Sequence, residues 1–284
     1  MVALINRLQS PILRKNLITT VQGYEFSTSP VRHTIKMNQK VVLFIGVCDE
    51  IGVSSIIEFS RSGHRLAIVS QDIRELQEAI ESCKVESQVS DANNYSITIT
   101  DFKDTTNAEQ AAKKVINEYG RIDILLMNLI HSGQARKLDK ESFFQDFQTV
   151  LQMNLMFATR ATQLVEPHLI QSRGNIIIVS SGEAHSLSYC VARAGLLMLT
   201  KTLANSFMHK GVRVNTIIDC APGGSSSRVI QDEYGNIKLI EKLVKFIVFL
   251  VSDKASYING SIFETQKSSK SQNEHSNRDS NRLC

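Results

Sequence analysis

From Met37 to about Thr265, short apolar runs alternate with longer amphipathic stretches. The runs predict strands at Val41 to Ile45, Arg65 to Val69, Tyr95 to Thr100, Ile124 to Asn128, Asn175 to Ser180, Val212 to Ile217 and Ser261 to Glu264, with helices filling the gaps. Val-Val-Leu-Phe-Ile and Ile-Ile-Ile-Val do not alternate with polar residues, which marks strands buried on both faces, and strands separated by helices pair in parallel. The pattern therefore predicts a doubly wound, Rossmann-type three-layer α/β sandwich around a mostly parallel sheet of about seven strands.

Composition narrows the class. The 284 residues, 42% hydrophobic and 21% charged, can bury one sizeable core, and residues 37–265 read as a single domain. No apolar stretch approaches the ~18 residues of a membrane span, so membrane insertion is not expected. The five cysteines (Cys48, Cys83, Cys190, Cys220, Cys284) are odd in number and lack a C-x-x-C pair, which reads as reduced thiols in an intracellular protein rather than a disulfide framework or a zinc site. None of the seven histidines stands at a metal-ligand spacing, and His185 reads as a loop residue.

The net charge of +4 sits almost wholly in residues 1–36, where Arg7, Arg14, Lys15, Arg32 and Lys36 face one acid, Glu25. The remainder is balanced, so no basic face for nucleic acid is expected. Arg, Ser and Thr with almost no acids is the composition of a mitochondrial transit peptide; a disordered extension ahead of Met37, with a cytoplasmic protein, is the equal alternative. Residues 266–284 are polar and read as a solvated, disordered tail.

Chemistry enters at the first turn. The first strand runs through Gly46-Val47-Cys48-Asp49-Glu50-Ile51-Gly52 into a helix predicted over Val53 to Arg61, the place where a dinucleotide-binding fold puts its glycine turn. Further on come Asp123-Ile124-Leu125-Leu126-Met127-Asn128, then Asn154, then Gly174 to Ser181, then Tyr189-Cys190-Val191-Ala192-Arg193, then Gly211-Val212-Arg213-Val214-Asn215, and last Phe249 to Gly260. Taken singly, Tyr189 is an ordinary helix-start aromatic, Ser181 a strand-end cap, Asn154 a helix-interior polar residue and Asp101 an N-cap. In this order, over nearly all of residues 40–265, the set resembles a divergent classical short-chain dehydrogenase/reductase.

That resemblance implies hydride transfer between a nicotinamide cofactor, NAD or NADP, and a small carbonyl or secondary alcohol. It implies Tyr189 as the acid/base, Ser181 orienting the substrate oxygen, Asn154 supporting a proton relay, and Arg193 in the place of the family's lysine. It implies cofactor contacts at Gly46, Ile51, Gly52, Ser70, Asp101, Asn128, Tyr189, Arg193, Pro222 and Gly223, and packing of the helices around Asn154 and Tyr189 against a second copy. A free phenol has a pKa near 10, so a nearby positive charge is needed to ionise it at neutral pH, and Arg193 is the expected source.

The chain departs from the family's pattern in four places. Asp49 and Glu50 put carboxylates in the phosphate turn, where two unit charges ~4 Å apart at an effective dielectric near 20 repel by ~4 kcal/mol. Arg193 keeps a charge but offers a planar fork instead of a compact ammonium. The interval from Ser181 to Tyr189 is shortened, and so is the segment between Pro222-Gly223 and Ser252, where Ser227 stands near the family's hydroxyl position. After the second strand, Ser70-Gln71-Asp72 places no charge where NAD and NADP are told apart. Two functions remain open at this point: the oxidoreductase, and a non-catalytic relative that keeps the body as a nucleotide-binding or dimerising module.

Overall fold

Unbroken apolar runs become strands because only a strand covered on both sides can bury every side chain it carries. β1 (Val41–Gly46), β2 (Arg65–Ser70), β4 (Ile124–Asn128) and β5 (Asn175–Ser181) are buried along their whole length. β3 (Tyr95–Ile99), β6 (Arg213–Asp219) and the short β7 (Ile262–Glu264) complete a seven-stranded, all-parallel sheet in the order β3-β2-β1-β4-β5-β6-β7. This computed structural model describes residues 39–71, 95–134, 140–182, 186–220 and 238–265, with Gln77 and Leu138. The expectations for the leader 1–36, the tail 266–284, and Asp72, His185, Pro222, Gly223 and Ser227 lie outside the described residues.

Alternation along each strand divides the core into two layers. Val41, Leu43 and Ile45 of β1 face α2 (Thr106–Tyr119), α4 (Phe157–Ser172) and α5 (Leu187–Phe207), together with Met127, Ile176 and Ile178. Val42 and Phe44 face α1 (Glu50–Arg61) and α6 (Lys238–Leu250), together with Leu126, Ile177 and Val179. α3 (Phe143–Leu151) runs into α4 through a π-helical turn, Gln152–Met156. The result is the three-layer sandwich that the sequence pattern predicts. Among the described residues no helix is long and apolar enough to cross a membrane.

The sheet reverses direction of growth at β1, since β2 and β3 lie to one side and β4 to β7 to the other. A crevice at the carboxyl ends of β1 and β4 follows from that switch. The opposite edge is tied shut: Asp123, nearly fully buried, accepts from Val41 N at 2.8 Å and from Arg121 Nε at 3.0 Å. At the far side, Asn215 and Asn259 lock β6 to the chain that enters β7, Asn215 Nδ2 donating to Ile258 O and Asn259 Oδ1 accepting from Val214 N.

Candidate functional site at the carboxyl edge of the sheet

The turn after β1 is built by two glycines with different physical tasks. Gly46 has φ +146, a conformation that other residues rarely adopt, and a Cβ there would collide with the backbone of Asn128. At Gly52 a Cβ would collide with the Val47 carbonyl and come within 3.1 Å of the Phe44 ring and 3.2 Å of Asn128 Nδ2. The first glycine lets the chain turn sharply, and the second lets α1 press against that turn.

α1 starts at Glu50, three residues earlier than the predicted Val53, because Asp49 is its N-cap. The Asp49 backbone is extended and its Oδ1 accepts from Gly52 N at 2.8 Å, so the cap satisfies one of the orphan donors of the first turn. The same oxygen accepts from Asn128 Nδ2 at 2.9 Å. Asn128 also donates to Val47 O at 3.0 Å, and its own carbonyl accepts from Val47 N at 3.0 Å. Asn128 thus ties the end of β4 to the turn, and Ile51, the second helical residue, is buried beneath it.

On the outer side of β1, Ser70 ends β2 with its carbonyl accepting from Thr100 N at 2.9 Å, and it is buried. Asp101 follows β3 and is exposed; its Oδ1 accepts from Lys103 N at 2.9 Å and from Gln71 Nε2 at 3.2 Å. Ser70 and Asp101 thus stand at the carboxyl ends of β2 and β3, where the resemblance implies the adenosine side of the cofactor.

The serine and tyrosine meet at the end of β5. Ser186 caps α5, its Oγ accepting from Tyr189 N at 3.1 Å and donating to Ser132 O at 2.7 Å, which seats Tyr189 in the first helical turn. The Tyr189 hydroxyl lies 3.1 Å from Ser180 Oγ and accepts from Ser181 N at 2.9 Å. The shortened loop therefore still brings the phenol to the strand. It meets the side chain of Ser180, and the main chain of Ser181. Ser180 shares the α5 face with Ile176 and Ile178, whereas the alternation of β5 carries Ser181 toward the α1 and α6 side with Ile177 and Val179. Sequence reasoning passed over Ser180, although strand parity alone groups it with Ile176 and Ile178 and sets it on the opposite face from Ser181.

Arg193, one helical turn beyond Tyr189, donates from Nη1 to Ser181 O at 3.0 Å. The phenol is 0% exposed, packed with Val150 and Ala192 and against Ile130 and Leu151. Burial pushes its pKa above the ordinary value of 10, and the hydrogen bonds from Ser180 and Ser181 and the charge of Arg193 pull it down by less. Arg193 thus acts in the expected direction without winning.

Asn154 sits in the π-helical turn and is fully buried. Its Nδ2 donates to His131 O and to Val150 O, each at 2.8 Å, and its Oδ1 accepts from His131 N at 3.0 Å. Both donors of the amide are used by the chain itself, which fixes the loop after β4 beside Tyr189 and accounts for the irregular helix. His131, another residue that sequence reasoning passed over, has its pKa lowered chiefly by burial.

The backbone of the turn fits the nicotinamide dinucleotide that the resemblance implies. Both glycine positions exclude a side chain, and Asn128 Oδ1 is a buried acceptor with no hydrogen-bond partner among the described residues. Among those residues no cluster of His, Cys, Asp and Glu suits a metal ion.

The chain is similar to known proteins over the stretch that holds these elements. The family model described as short chain dehydrogenase matches residues 40–234. A 3-oxoacyl-(acyl-carrier-protein) reductase of Thermotoga maritima is 26% identical over 249 residues, covering 80% of this chain and 96% of the relative. D-threitol dehydrogenase of Mycolicibacterium smegmatis is 26% identical over 245 residues, covering 79% and 90%. Among solved structures, L-sorbose reductase of Gluconobacter frateurii, complexed with NADPH and L-sorbose, superposes with a TM-score of 0.66 at 23% identity, covering 80% of this chain and 95% of that one. A short chain oxidoreductase of Pseudomonas aeruginosa with an atypical catalytic center superposes at 0.68 and 20% identity, with the same coverage. With the model spanning more than half its length and the glycine turn, serine strand and tyrosine helix all in place, this chain belongs to the short chain dehydrogenase family, oxidoreductases that use NAD or NADP.

Proposed function

We propose that this protein is a reductase of small carbonyl compounds in which Tyr189 holds the proton for the substrate oxygen. The observation that carries this reading is the Tyr189 hydroxyl held at the carboxyl edge of the sheet by Ser180 Oγ and Ser181 N–H. Gly46, Ile51 and Gly52 would hold the dinucleotide at its phosphates, Ser70 and Asp101 at the adenosine side, Asn128 from below, and Arg193 beside Tyr189. When bound, the nicotinamide supplies the hydride.

A phenol pushed above its ordinary pKa by burial is protonated at neutral pH, the state needed by an acid that neutralises a developing alkoxide. In the reverse reaction, alcohol oxidation, the same hydroxyl would take the proton back as the base. Relatives named a 3-oxoacyl-(acyl-carrier-protein) reductase and a D-threitol dehydrogenase suggest an oxygenated carbon as the reacting centre.

The test is a panel of one 3-oxoacyl thioester, one ketose and one cyclic diketone, followed by the loss of NADH or NADPH. Turnover on at least one is expected, with Tyr189→Phe lowering it by about 10²- to 10⁴-fold and leaving nucleotide affinity within about twofold. Turnover retained by Tyr189→Phe removes the tyrosine from the chemistry. Nucleotide binding without turnover anywhere on the panel would overturn reduction of these substrate classes.

We also infer a homo-oligomer. Phe144, Met156, Leu187, Val191 and Met198 are exposed apolar side chains on α3, the π-helical turn and α5, and the last three lie on one face of α5. Light scattering should give a dimer or larger, and Val191→Glu combined with Met198→Glu should give a monomer; a monomeric wild type ends this inference.

A further inference from the structure

The glycine turn carries an anion of its own. Asp49 Oδ1 is held by two N–H donors from different elements, Gly52 N at 2.8 Å and Asn128 Nδ2 at 2.9 Å. α1, twelve residues long, directs its positive end at this point, and Glu50 begins it with a second carboxylate. A diphosphate is drawn to such a helix end by the same amides and the same dipole. Here part of that attraction is already answered within the chain.

We propose that Asp49 is an internal anion that sets the affinity of this crevice for diphosphate-bearing nucleotides, holding it below what the backbone of the turn would otherwise give. The inference rests on the reading of the crevice as a dinucleotide site. Two features separate the roles of the carboxylate. As an N-cap it stabilises α1, and serine or asparagine performs that task about equally well. Its formal charge adds to the cap only the small stabilisation of an anion at the positive end of a helix, yet it opposes each phosphate placed beside the helix. The cross-bond to Asn128 holds the charge in place, since turning Asp49 away would break both bonds and leave Gly52 N without its acceptor. Glu50, by contrast, lies at the half-buried first position of the helix, outside the cap.

The experiment is calorimetric titration of the full chain with ADP-ribose, which carries the diphosphate and no nicotinamide, in wild type, Asp49→Asn and Asp49→Ser. Both variants should bind about tenfold tighter or more at low salt, an advantage that salt near 1 M should reduce only in part because Asp49 is half-buried. Thermal midpoints close to the wild type's show that the cap is retained. Equal affinity in all three proteins overturns the role of Asp49 while leaving the dinucleotide reading in place. Failure of all three to bind ADP-ribose or NADPH up to millimolar concentration overturns that reading, and this inference with it.

Discussion

The two ends of the crevice are closed by the chain in the same manner but around groups of different charge. At the phosphate end a carboxylate, Asp49, receives two N–H donors, one from the backbone of α1 and one from β4. At the tyrosine end a neutral hydroxyl receives the Ser181 N–H and shares a proton with Ser180 Oγ. In both places a donor that could serve a ligand serves a side chain first. The difference lies in what a ligand must then overcome. Under the proposed function, a diphosphate would meet like charge at one end; at the other, a carbonyl oxygen would have to compete for a phenol that is already bonded and fully buried.

Each end can be broken separately, and the expected effects fall in order. Gly52→Ala should be the most damaging, because its Cβ would press on the Val47 carbonyl, which is backbone and cannot swing aside; a loss of about 1–3 kcal/mol or more is expected in denaturant unfolding. A smaller loss would mean that α1 slides on the turn, and the phosphate end would then be looser than the tyrosine end. Tyr189→Phe should follow. It keeps the packing against Val150 and Ala192 but leaves the buried Ser181 N–H without this acceptor, at a cost of about 1–2 kcal/mol. No change in the unfolding midpoint would show that the hydroxyl does not brace this corner, and the likeness between the two ends would fail.

The smallest expected effect is a pH dependence. Burial raises the pKa of Tyr189 and, away from the crevice, of Tyr119. The folded state therefore keeps these protons where the unfolded chain has released them. Stability that is complete below about pH 10 should be lost as pH rises from there toward the folded values. Unfolding midpoints measured from pH 9 to 11 should fall, and the fall should be shallower in Tyr189→Phe without vanishing, since Tyr119 remains. An unchanged slope would place the Tyr189 hydroxyl in contact with solvent. On the acid side the sign reverses: burial lowers the pKa of His64 and His131, so the unfolded chain binds protons first and stability falls as pH drops below about 6.5.

Much of this architecture is legible along the chain. β4 has the bounds its apolar run predicts, and β1, β2 and β5 each extend one residue further. Runs of this kind leave no doubt about burial, because a residue without a polar neighbour on either side has to be covered on both faces of the sheet. β6 runs two residues beyond its predicted end, to Asp219, because its pairing with β5 continues as far as Ser181. α1 begins early for a similar reason, since Asp49 is read as a cap only once its oxygen is seen on Gly52 N.

What the sequence by itself determined is the succession of strands and helices, their parallel order and the family, all of which follow from local runs and from motifs in a fixed sequence of appearance. What only the tertiary structure decided is which atoms meet at the carboxyl edge of the sheet. Asp49 and Asn128 are 79 residues apart, and Ser180 rather than its neighbour offers its hydroxyl to Tyr189. Local pattern specifies which side of an element faces inward, but contacts across the edge depend on strand register, loop length and helix start together, and a shift of one residue exchanges one face for the other.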